Sequence, residues 1–208
     1  MARHSKTGRG LARARKRRRE GGLFHTVGSA LSKGLERVAQ AMSTADDLDA
    51  VDLLKAQHRA VDRLFREVKS AKGPSKGTSF RELADLLAMH ATIEEWIFYP
   101  GVRTAETEDL LAESREEHLA IKRLLADMLD EDVAGETFDA KLSVLEEQVH
   151  HHAIEEEEAK LFPIVRVAID DDYRAALAGE MIALMVEAQE KGAPRNAIPS
   201  ETDEAAPL

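Results

Sequence analysis

The sequence predicts an all-α protein: an up-down-up-down four-helix bundle with an extra C-terminal helix and a possible amphipathic helix near the N-terminus. Three observations lead there. Apolar residues recur by threes and fours in four long segments, the period that places them on one helical face. Short connectors join these segments, which makes neighbouring helices antiparallel. The spacing His-x-x-x-Glu occurs twice on the apolar faces, at His90 and Glu94 and again at His152 and Glu156. No strand pattern competes, and an aromatic content of 4% favours aliphatic helix packing over an aromatic-rich sandwich.

Residues 1–45 form a basic, low-complexity tail with one short amphipathic segment, in which Phe24, Val27, Leu31, Leu35, Val38 and Met42 recur at helical spacing. The first part reads as disordered. Met42-Ser43-Thr44-Ala45-Asp46-Asp47 offers an alternative start, which would leave residues 1–41 outside the natural protein. The bundle is expected over residues 46–169. Its first helix runs from about Asp46 to Lys69, with acidic residues in the first turn to suit the macrodipole. The connector around Lys72-Gly73-Pro74 leads to a second helix capped by Thr78 or Ser79, which carries Leu83, Leu87, His90, Glu94 and Ile97 before Pro100 ends or kinks it. The third helix runs from about Thr107 to Leu129. After Gly135 the fourth carries Leu142, Leu145, Val149, His152, Glu156 and Ala159. A C-terminal helix is expected over residues 170–192, with Tyr173, Leu177, Met181 and Met185 on one face, and a disordered Pro-containing acidic tail over 193–208.

On a helix, positions i and i+4 lie one turn apart on the same face. Each His/Glu pair therefore points a ring nitrogen and a carboxylate along an apolar seam, where an uncompensated charge is costly. Two such seams facing each other call for a cation. His58 and His118 lie on the apolar faces of the first and third helices and extend the set. Zero cysteines restrict any metal to nitrogen and oxygen ligands. In the fourth helix three histidines, His150 to His152, precede four glutamates, Glu155 to Glu158. The α-helical register selects His152 and Glu156. Counting back from Pro163 as from Pro100 instead selects Glu157 as the counterpart of Glu94, so both carboxylates stay open. Asp62, one turn after His58, is a candidate acceptor for its ring, and Glu95 reads as a surface charge.

The order His, His-x-x-x-Glu, His, His-x-x-x-Glu, with the pairs trailed by Phe98-Tyr99-Pro100 and Leu161-Phe162-Pro163, resembles the hemerythrin-like (HHE cation-binding) family over roughly Asp46 to Ile169. The resemblance implies a non-haem di-iron centre, two Fe ions held by His58, His90, Glu94, His118, His152 and Glu156, that binds or reacts with small oxidants such as oxygen, peroxide or nitric oxide. It also admits a non-catalytic metal-responsive sensor or interaction module, or an iron-handling protein. The residue four before His118 is Ser114, where oxygen-carrying members have a further histidine.

Other function classes are disfavoured. Of 29 Lys and Arg and 39 Asp and Glu, 11 basic and 2 acidic residues precede Asp46, which leaves 18 basic against 37 acidic residues in the body. Such a balance repels phosphate, so no specific nucleic acid partner is expected. No apolar run approaches the roughly 20 residues of a membrane span, and the early Arg-rich stretch lacks the apolar core of a secretory signal. The expected location is cytoplasmic.

Overall fold

The structure, a computed structural model, describes residues 49–208; the N-terminal tail and amphipathic segment lie outside the described residues. Four antiparallel helices enclose the core and a fifth packs beside them. Helix α1 spans Ala50–Ser70. Asp49 caps it, its carboxylate accepting from the Asp52 amide at 2.9 Å, which satisfies one of the free N–H groups of the first turn. The chain reverses at Gly73, whose φ of 58° suits a residue without a side chain. Helix α2, Pro74–Ile93, therefore starts at Pro74 rather than after Thr78 or Ser79. Proline is preset for a first helical position, where its missing N–H costs nothing.

Helix α2 continues through a π turn, Glu94–Phe98, into Tyr99–Gly101. Helix α3 spans Glu108–Leu129. Helix α4, Phe138–His150, likewise continues through a π segment, His151–Leu161, into Phe162–Ala168. Both prolines thus sit inside continuing helices. Each comes after a widened turn, where the hydrogen-bond ladder has already changed register and a missing N–H is tolerated.

The wider turns rotate the helical faces beyond them. Up to His90 and His152 the faces are as the α-helical pattern predicts, with Leu83, Leu87, Leu145 and Val149 buried. Past those histidines Phe98 is buried where the pattern places Ile97, and Ala159 faces solvent. A π turn bonds i to i+5, so one extra residue is spent per turn and the seam moves on by one position.

Helix α5 spans Asp171–Glu190 and packs on α1 and α2 with Leu177, Ala178, Met181 and Met185 buried. Buried Arg174 anchors it, its Nε donating to Asp49 at 2.8 Å. Leu177 lies so close to Gly101 that a Cβ there would stand 2.6 Å from its Cδ2. The tail differs from expectation: instead of lying free, it turns at Gly192 and runs along α2 and α3 through short 3-10 turns at Pro194–Asn196 and Ile198–Ser200. It is held by ion pairs that composition alone does not reveal. Among the described residues, no helix is long and apolar enough to cross a membrane.

Candidate metal centre

His58 on α1, His90 on α2, His118 on α3 and His152 in the π segment of α4 are all buried and converge at one level of the bundle. His118 Nε2 and His152 Nε2 approach to 3.0 Å. Glu94, 0% exposed, lies with Oε2 at 3.1 Å from His90 Nε2 and 3.3 Å from His118 Nε2.

On α4 the structure brings Glu157 to the centre, not Glu156. Glu157 is 0% exposed, with Oε2 3.2 Å from His58 Nε2 and 3.7 Å from His152 Nε2. Glu156, also buried, does not meet the four histidines and pairs instead with Lys160 at 2.6 Å and with His151 at 3.6 Å. The π geometry is the reason: His152 and Glu157 are five apart, which in a π helix is one turn on a single face. The proline count points to this carboxylate; the α-helical register does not.

Each histidine is oriented from outside by its other nitrogen. His90 Nδ1 donates to Gln57 Oε1 at 2.7 Å, His118 Nδ1 to Glu95 at 3.0 Å, His152 Nδ1 to Glu117 at 2.9 Å and His58 Nδ1 to Glu158 at 2.9 Å. Carboxylate and amide oxygens only accept, so Nδ1 carries the proton and the Nε2 lone pair faces inward. Asp62 is exposed and is not the acceptor for His58. Glu95 is not a surface charge: it is buried between His118 and Lys122, whose Nζ donates to it at 2.7 Å. Gln57→Leu is expected to weaken metal binding by roughly 10- to 100-fold, the usual cost of losing such an outer partner. Competition against a chelator of known affinity measures it.

Tyr99 is a site residue that the sequence pattern does not single out. Its hydroxyl donates to Glu157 Oε1 at 3.1 Å and lies 3.4 Å from His118 Nε2, while its ring stacks on His118 at 5.6 Å. Ser114, one turn before His118 on α3, is also buried. In the other half Phe162 stacks on His58 at 5.9 Å. The repeated aromatic-proline pairs thus close one end of the centre.

The interior is a set of acceptors facing acceptors. His58 Nε2, His90 Nε2, both oxygens of Glu94 and Oε2 of Glu157 are buried without a hydrogen-bond partner among the described residues. Burial and the nearby His58 push His90 well below the usual imidazole range. Burial and the Glu157 carboxylate push Glu94 well above the usual range. Burial would raise Glu157 too, but His152 and His58 outweigh it and hold that group low. Unpaired buried acceptors cost about 1–3 kcal/mol each, so a cation among them is the arrangement's natural complement. The donor atoms fall into two groups, one of His58, His90, Glu94 and Glu157 and one of Glu94, His118 and His152, each within 4.8 Å. Glu94 belongs to both.

A family model, the hemerythrin HHE cation binding domain, matches residues 49–165. A DNA nickase of Nostoc sp. (strain PCC 7120 / SAG 25.82 / UTEX 2576) is 26% identical over 166 residues, 79% of this chain and 45% of the nickase. The chain therefore spans less than half of that relative. A crystal structure of a hemerythrin HHE cation binding domain-containing protein from Mycobacterium kansasii superposes with a TM-score of 0.64 at 22% identity, over 74% of this chain and 99% of that one. That likeness is one of fold.

Proposed function

Because the chain belongs to the hemerythrin HHE cation-binding family, we propose that it is a cytoplasmic protein holding a non-haem di-iron centre that binds or reacts with small oxidants such as oxygen, peroxide or nitric oxide. One observation carries this reading: four imidazoles, each fixed by an outer acceptor on Nδ1, turn their lone pairs toward two buried carboxylates. The residues that would hold the ions are His58, His90, Glu94, His118, His152 and Glu157, Glu94 being common to both donor groups. Mixed imidazole and carboxylate donors suit iron, and bound iron would supply the redox chemistry. The chain's own part is to fix the rings, to bury the carboxylates and, through Tyr99, to hold a hydroxyl proton against Glu157.

The Nostoc relative is named for an action on DNA. The excess of acidic residues from Asp46 onward opposes phosphate, and we place reactivity at the histidine cluster instead. Metal analysis of protein produced with ample iron is the test. Two irons per chain are expected, falling in His58→Ala, His90→Ala, His118→Ala and His152→Ala but not in His150→Ala. One zinc per chain in the parent would overturn the di-iron reading.

A further inference from the structure

Beside the four histidines, on the side away from Tyr99 and Phe162, lies a cavity of about 30 Å³. That is room for about one water molecule. Its walls are mostly apolar, with Val61 from α1, Leu87 from α2, Ile121 and Leu125 from α3, and Val149 from α4; buried Lys122 also lines it, its ammonium paired with Glu95 and Glu201. Exposed Asp62 and His150 stand at its rim on the α1–α4 side. One wall residue comes from outside the bundle helices. Ile198, 1% exposed, reaches in from the C-terminal tail and lines the same cavity.

The tail is fastened on both sides of Ile198. Three residues before it, Arg195 binds Asp85 through its backbone N–H at 3.2 Å and its guanidinium at 2.5 Å. Three residues after it, Glu201 binds buried Lys122 at 2.8 Å, the same lysine that holds Glu95 behind His118. Farther on, Arg123 donates to the carbonyls of Thr202 and Asp203 at 2.8 and 2.9 Å. A side chain pinned between two such anchors cannot easily swing away to admit a larger guest. Ion pairs of this kind fix register more surely than they add stability.

We propose that Ile198 is a specificity-determining residue: held by this strap, it sets the volume beside the histidines and restricts what reaches them to small, uncharged molecules of about water size. The inference deepens the small-oxidant reading and rests on it. Its test does not, because it reads the cavity wall rather than the metal. Xenon, an apolar probe larger than water, is applied under pressure to methyl-labelled full-length protein, and shifts are followed at Val61, Leu87, Ile121, Leu125 and Val149.

Ile198→Ala is expected to bind xenon at least tenfold more tightly than the parent, with shifts centred on those methyls. Ile198→Leu conserves volume and is expected to behave like the parent. Equal xenon binding by the parent and Ile198→Ala, or no binding by either, overturns the proposal. Iron content of the same samples keeps the two readings apart. Xenon gain without iron removes the centre and leaves the wall standing; iron without xenon gain removes the role of Ile198.

Discussion

Glu157→Gln is expected to reduce metal affinity by more than about 100-fold, beyond the loss of an outer partner, while Glu156→Gln leaves it at the parent value. The two residues are neighbours of one chemical type, so composition cannot separate them. Their surroundings do. Glu157 is wholly buried among His58, His152 and the Tyr99 hydroxyl. Glu156, though buried, gives its charge to exposed Lys160 and not to the four histidines, so its loss leaves the donor groups of the centre intact. The amide keeps the length and shape of the carboxylate, so the substitution removes charge alone. Chelator competition on the two variants reads the difference. A Glu156 variant that loses metal while Glu157→Gln retains it would show that α4 keeps α-helical register through the site.

That pair also marks how far the sequence can be read. Helix number, order and the four histidines come from local rules: apolar residues by threes and fours, and His90 and Glu94 one turn apart. The slip to Glu157 does not. A π turn is chosen by what surrounds the helix, here the convergence on one centre, and the sequence holds only an indirect trace of it in the distance to Pro163. Glu95 misleads for a related reason. Its partners, His118 and Lys122, lie on another helix, and a charge read in isolation looks like surface. The tail shows the same limit. Composition marks residues 193–208 as polar and Pro-containing, yet Arg195, Ile198 and Glu201 find Asp85, an apolar cavity and Lys122 through tertiary contacts.

Removing the metal is expected to lower the thermal midpoint by about 8–16 °C while leaving helical content nearly unchanged. Metal that binds only the folded chain stabilises it by about 4 kcal/mol at a thousandfold excess over Kd, and a chain of this size loses about 2–4 °C per kcal/mol. The helices persist because their apolar core, from Leu54 and Phe65 to Phe138 and Leu145, does not depend on the centre. Glu94→Gln sharpens the experiment because its effect is expected to change sign. With metal present it removes the carboxylate shared by both donor groups, and the midpoint falls. Without metal it replaces a group that burial and Glu157 oppose as an anion with a neutral amide of the same shape, so the midpoint holds or rises. Calorimetry of parent and variant, each with and without chelator, gives the four values required. A Glu94 variant less stable than the parent in both states would mean that the carboxylate is a structural part of the core, not one held in readiness for a cation.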